Sequence, residues 1–253
     1  MKPPASGTPP ALGVSGGVEL RCGSDATGRP VIKSQRFSPP VHLGKAYHDP
    51  ETNSLLLNLT CPTAGLLEGD EMTCDVTVEN GGSLVLTTPG ATRAHVMRSG
   101  FAKVRQRFVV EDGGFLEFAP EVLILQRDSR LVQDTHVEVT PQGEFLYLEF
   151  IAPGRVARGE LFQFEEFTNR FLLTSQGKPL AREYYSLRPD DSSVGPWKNA
   201  FPEPVYAAFY CFSPKLTNEL LCRENLHEIA SEYLLIGATR LHRNGWTVKL
   251  LAA

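Results

Sequence analysis

Six histidines and five cysteines are the side chains of this 253-residue chain best suited to hold a metal or attack a substrate. His42, His48, His95, His136, His227 and His242 show no pair at ligand spacing on a common strand or helix face. Cys22, Cys61, Cys74, Cys211 and Cys222 contain no C-x-x-C pair. Closely spaced pairs of this kind build tetrahedral structural sites, so a tightly bound metal is not expected. His227-Glu228 opens like H-E-x-x-H, but the second ligand position is Ser231, which ends the zinc reading. Gly13-Val14-Ser15-Gly16-Gly17 has the letters of a nucleophile elbow. It lies in a Pro/Gly-rich stretch without the strand and helix such an elbow needs. There is no Walker A motif and no dinucleotide fingerprint. The chain is expected not to be an enzyme.

The carboxylates form a more suggestive pattern. Glu160, Glu165 and Glu166 fall within one short segment, with Glu149 and Glu183 nearby in sequence. They read either as a solvated strand face or as a polar track. Such a track would suit a hydrated divalent cation in passage, since few ligands at once means fast release.

The elements that must position these groups are mostly strands. Alternating or β-branched and aromatic runs recur from Val18–Cys22, Leu55–Cys61 and Cys74–Val78 through Val205–Phe212, with turn residues between them. Three segments share one grammar of strand, Gly turn and strand: Val76–Leu86, Phe108–Phe118 and Val137–Tyr147. Their turn glycines Gly82, Gly114 and Gly143 are 32 and then 29 residues apart. A weaker fourth copy centres on Gly177. Glycine in such a turn permits positive φ. One hairpin cannot bury its apolar face alone, so the expectation is a mainly β fold of stacked β-hairpins forming a β-helix-like or sandwich scaffold. Leu216 to Leu234 carries apolar residues at helical spacing, with Pro214 before it and Gly237 after it. One or two α-helices near the C-terminus are therefore expected, and this helix is a candidate partner-binding element. Residues 1–16 read as a flexible tail and 17–253 as one β-rich domain.

Bulk properties exclude several classes. A net charge of −4 without a basic run argues against nucleic-acid binding. No apolar run is long enough to span a membrane, and the N-terminus lacks the apolar core of a secretion signal. An odd number of irregularly spaced cysteines suits reduced thiols and a cytoplasmic location.

Thr87-Thr88-Pro89-Gly90-Ala91-Thr92 resembles the TTPGATK string of the urease accessory protein family UreD, also called UreH. Gly65–Asp70 resembles that family's GD turn, Phe118–Leu125 its LPQETILF segment, and Gly154–Glu160 its GRxAxGE loop. Gly177–Leu180 with Glu183 resembles GxPLxxE, and Gly237–Leu251 the late strand. The resemblance implies a mostly β scaffold that binds UreF. It further implies contact with the nickel-carrying GTPase UreG and with apo-urease, and an internal nickel tunnel. Nickel would be in transit, with no cofactor bound tightly. Carried over residue by residue, the positions implicated in transfer fall on Thr87 and Thr88, on Arg127 or Asp128, and on Glu160. The competing readings are a divergent scaffold or metal-delivery factor for another client, and a β-sandwich hydrolase.

Overall fold

Alternation of apolar and polar residues puts one face of each strand in the core and the other in water. In the computed structural model, which describes residues 13–216, 229–242 and 244–253, this pattern yields eighteen strands among the described residues. In chain order these are β1 (Ser15–Ser24), β2 (Pro30–Ser38), β3 (His42–Leu43), β4 (Tyr47–Asp49), β5 (Ser54–Thr60) and β6 (Glu71–Val78). There follow β7 (Ser83–Thr87), β8 (Thr92–Ala94), β9 (Ala102–Val110), β10 (Phe115–Ala119), β11 (Leu123–Leu125) and β12 (Arg130–Val139). The last are β13 (Glu144–Ala152), β14 (Glu166–Ser175), β15 (Lys178–Leu187), β16 (Val205–Phe212), β17 (Leu234–Arg240) and β18 (Gly245–Ala252). One sheet has the order β15-β14-β12-β9-β6-β1-β2. The other runs β17-β18-β16-β13-β10-β7-β5-β3, with β4, β8 and β11 beside it.

The chain winds between the two sheets, so the β-helix-like form of the expected stack is the one realised. The strands on either side of each Gly-Gly turn do not pair with each other. β6 lies in the first sheet and β7 in the second, and each pairs in parallel with its counterpart one coil later. Val78 faces Val110, and Val110 faces Val139. The same 32- and 29-residue steps read from the turn glycines thus set the register of both sheets. The fourth copy differs in kind: β14 and β15 are a true antiparallel hairpin, turning through Gln176 (φ 51°) and Gly177 (φ 69°).

Stacking in register lines up like residues in ladders. Leu20, Val76, Phe108, Val137 and Leu173 form one in the first sheet. Leu57, Leu86, Phe118, Tyr147 and Tyr210 form another opposite it. All ten are buried. In the second ladder the side chains grow from aliphatic to aromatic along the stack, and Phe171 and Tyr210 close on each other with ring centres 3.9 Å apart.

The turns stack as tightly as the strands. Glu79 N donates to Cys22 O, Glu111 N to Val78 O, and Thr140 N to Val110 O, at 2.7–2.9 Å. Positive φ falls on the first glycine of each pair, Gly81 (70°) and Gly113 (71°), rather than on Gly82 and Gly114. The second glycine is required for a different reason. A Cβ on Gly82 would stand 2.8 Å from Cys22 O, and one on Gly114 3.0 Å from Val78 O. The other corner of each coil is made of long loops, at residues 61–70, 88–101, 120–129 and 153–165.

The expected C-terminal helix falls largely on residues 217–228, outside those described. Past Ile229, which is helical, the chain leaves the helix: Ser231 bridges Leu234, which opens β17. Gly237, expected to end that helix, lies inside β17 because Leu234–Arg240 pairs along β18. Among the described residues the α-helix is the short Gly195–Ala200.

Replacing Gly82 by Ala is expected to lower unfolding free energy by about 1–3 kcal/mol in urea titrations, since the added methyl meets backbone of the preceding coil. Gly177→Asn, which meets nothing within 4 Å and tolerates its turn conformation, is expected to cost less than about 1 kcal/mol.

Candidate functional site

All four residues singled out for transfer lie at the long-loop corner or at the strand end that feeds it. They serve first as loop builders. Thr87 Oγ1 donates to Ala119 O (2.6 Å), and Thr88 Oγ1 accepts from Glu121 N (2.8 Å), so both tie one coil to the next. Asp128 holds a positive φ of 57°; its N–H donates to Gln163 O, and its carbonyl accepts from Met97 N. Glu160 is 9% exposed and takes a two-pronged ion pair from Arg155 at 2.6 and 2.7 Å. That pair, with the neighbouring Arg127, holds its carboxyl below the usual range. Gly154 permits the loop to close, since a Cβ there would lie 2.2 Å from Glu160 O. The GD turn works in the same way. Buried Asp70 accepts from Val14 N (2.9 Å) and Leu67 N (2.8 Å), pinning the loop to the start of β1.

Beneath this corner the two sheets part around a cavity of about 420 Å³. Its mouth is lined by Cys61, Thr63, Thr88, Ala91, Arg93 and Glu121. Its interior reaches Cys74, Gln106, Gln133, Tyr147 and Glu149. The opening follows from the ladders. One step beyond Leu86, Phe118 and Tyr147, on the same 32- and 29-residue offsets, the inward positions are occupied by Thr88, Pro120 and Glu149. These fill less space than Phe or are polar, so the apolar stack stops there.

Asp128 and Glu160 do not line the cavity. They join Arg127 and Gln163 in a separate cluster on the same corner, with Arg127 Nε donating to Gln163 Oε1 at 2.7 Å. The acidic group divides as well. Glu160, Glu165 and Glu166 each pair with a different arginine: Arg155, Arg130 and Arg188. They are not one track. Glu149 and Glu183 do come together, inside the fold.

Glu149, which the sequence offered only as one of several neighbouring carboxylates, lies in the cavity interior. Its carboxylate accepts from Gln133 Nε2 (2.6 Å), Asn169 Nδ2 (3.0 Å) and Tyr185 Oη (3.0 Å). Burial pushes its pKa up to about 7, against the lowering effect of those donors and with the nearby Glu183 adding to the rise. Glu183 in turn binds Lys249 of the opposite sheet at 2.7 Å. The signal was in the strand pattern. In Phe145-Leu-Tyr147-Leu-Glu149-Phe-Ile151 the glutamate has the phase of the inward residues.

Cys74, inside the cavity, has its thiol pushed up to about 12 by burial. It is protonated at neutral pH. Among the described residues no group of three or more His, Cys, Asp or Glu is arranged to hold a metal. Cys22, Cys61, Cys74 and Cys211 are free thiols, and no described helix is long and apolar enough to cross a membrane.

The model of the UreD urease accessory protein family matches residues 14–253. This chain belongs to that family. It is 32% identical over 244 residues to the urease accessory protein UreD of Opitutus terrae, covering 94% of this chain and 88% of that one. It is also 32% identical over 242 residues to the UreD of Yersinia enterocolitica serotype O:8, covering 91% and 74%. A third relative, the UreD of Yersinia pestis bv. Antiqua, is 34% identical over 188 residues. The motifs that carried the resemblance gather at the long-loop corner for the GD turn, the TTPGAT string, the 118–125 segment and the GRVARGE loop. The Gly177 and Gly237 strings lie elsewhere, in the β14–β15 hairpin and in β17.

A carboxyl whose pKa is higher in the folded than in the unfolded chain stabilises the fold at low pH. That contribution is complete below the unfolded value near 4.5 and falls away as pH rises toward 7. Burial also raises Asp75 and Glu117, which act in the same direction. Unfolding free energy is therefore expected to drop by up to about 3 kcal/mol between pH 5 and 7.5. Glu149→Gln should flatten most of that slope in urea titrations across the range; an unchanged slope would place its cause elsewhere.

Proposed function

We propose that the chain is a non-catalytic scaffold for urease maturation that works with UreF and UreG in the cytoplasm to insert nickel into apo-urease. Family membership supports the urease role. The observation that carries the nickel reading is the convergence of four family motifs on one corner of the coil, around the mouth of a cavity whose largely apolar wall carries Gln106, Gln133 and Glu149.

The chemistry available there suits passage better than storage. The mouth offers hydroxyls, backbone carbonyls and the Glu121 carboxylate, and the interior offers amides and Glu149. A hydrated Ni(II) ion would exchange water for one or two oxygen ligands at a time. Such sites release quickly, whereas a preformed cluster of imidazoles or thiolates would retain the ion. Nickel is thus cargo rather than a resident cofactor. Asp128 and Glu160, on the neighbouring loops, would collect or hand on the ion at the surface, with Thr87 and Thr88 shaping the entrance. Docking requires area rather than a cleft, and the exposed Leu67, Val96 and Phe101 beside the mouth provide apolar surface for it.

Glu160 has a structural partner, so its test needs a control. Urease activation with the cognate accessory proteins is expected to fall roughly tenfold or more for Glu160→Ala and much less for Arg155→Ala. Equal losses from both would make the ion pair, rather than a free carboxylate, the contribution. Full activation by Glu160→Ala would remove Glu160 from the route. Co-purification with UreF should survive both changes.

A further inference from the structure

The outward face of the first sheet carries a groove of about 690 Å³ that crosses β6, β9, β12, β14 and β15. Two rows of side chains form its walls. Arg105, Asp134 and Arg170 stand in one row, continued by Tyr184. Arg107 faces His136 in the other, followed by Leu172 and Arg182. Asp75 closes the second row at the β6 end.

The arginines are not equally engaged. Arg170 donates to Asp134 at 3.0 Å and lies against the Tyr184 ring. Arg105 reaches Glu71 at 3.9 Å. Among the described residues, Arg107 and Arg182 make no ion pair. In a chain of net charge −4, two guanidiniums outside any ion pair, one of them beside the charge of Asp75, therefore flank an apolar spot, Leu172, on one exposed row. They are three strand spacings apart, about 14 Å. An extended peptide rises about 3.3 Å per residue, so side chains four residues apart on one face span about 13 Å.

We propose that this groove docks an extended acidic segment of a partner protein, with carboxylates four residues apart received by Arg107 and Arg182. Leu172 lies between them to take an apolar residue, and the 64%-exposed Tyr184 flanks the end. Arginine suits this role because its planar fork takes a carboxylate with two parallel hydrogen bonds. A nucleic acid fits worse. Asp134 stands in the neighbouring row and Asp75 beside Arg107, and both would repel a strand with a charge on every residue, whereas two carboxylates four residues apart meet only Asp75, across from Arg107. The inference is independent of the nickel reading.

The probe is a fluorescein-labelled peptide, Ser-Glu-Ser-Leu-Ser-Glu-Ser, titrated with the full-length chain and followed by anisotropy. The double variant Arg107→Glu/Arg182→Glu is expected to weaken binding at least about tenfold. Raising salt from about 50 to about 300 mM should weaken the wild-type complex. Arg240→Glu, on the other sheet, should leave the affinity unchanged. Circular dichroism melts report folding, and the single variant Arg182→Gln on the edge strand provides a milder test if the double variant melts early. Equal binding by wild type and both variants would overturn the proposal. So would binding of oligothymidylate as tight as that of the peptide, or no saturable peptide binding.

Discussion

Every coil of this protein must lay its strands in register on the coil before it, and the Gly-Gly turns decide whether it can. At that corner successive turns donate N–H groups to the strand end below, with no room for a Cβ at Gly82 or Gly114. Close stacking there leaves nothing at that corner to vary. The opposite corner is spanned by loops of about ten residues or more, and it is there that the motif-bearing segments accumulate. The tight turns and the motif-bearing loops thus occupy opposite corners of one winding.

The interior reflects the same division. Near the Gly turns the ladders are apolar and packed, from Leu20 to Leu173 and from Leu57 to Tyr210. Toward the long loops they give way to Gln106, Gln133, Asn169 and Glu149. A buried carboxylate is costly unless donors surround it, and Glu149 has three. Those donors come from the first sheet and Glu149 from the second, so the cluster joins the layers where hydrophobic contact thins. It also places polar groups in a cavity wall that is otherwise largely apolar.

Much of the winding was legible in the sequence, because a coil that repeats its turn must repeat its register. The spacing of Gly82, Gly114 and Gly143 equals the strand offsets. The pairing partner was not legible. A strand-turn-strand segment reads the same whether its arms pair with each other, as β14 and β15 do, or with neighbouring coils, as β6 and β7 do. Carboxylate clustering along the chain misled in a similar way. Glu160, Glu165 and Glu166 are adjacent in sequence but are drawn apart by three arginines. Glu149 and Glu183, the outlying members of that group, meet because β13 and β15 face each other across the core. The family resemblance rested on turn residues, and the structure gives those residues architectural duties: Gly65 and Gly154 sit where an added Cβ would stand 2.2 Å from a neighbouring carbonyl oxygen, and Asp70 pins two segments.

The central claim is that the cavity mouth at the long-loop corner serves nickel delivery to urease. It is tested most directly by the nickel content of urease matured with a chain in which Ala91, at the mouth, is replaced by Trp. The account predicts nickel-poor urease, while the variant remains folded by circular dichroism and still co-purifies with its accessory partners. Urease loaded to the wild-type nickel content through the blocked mouth would contradict it.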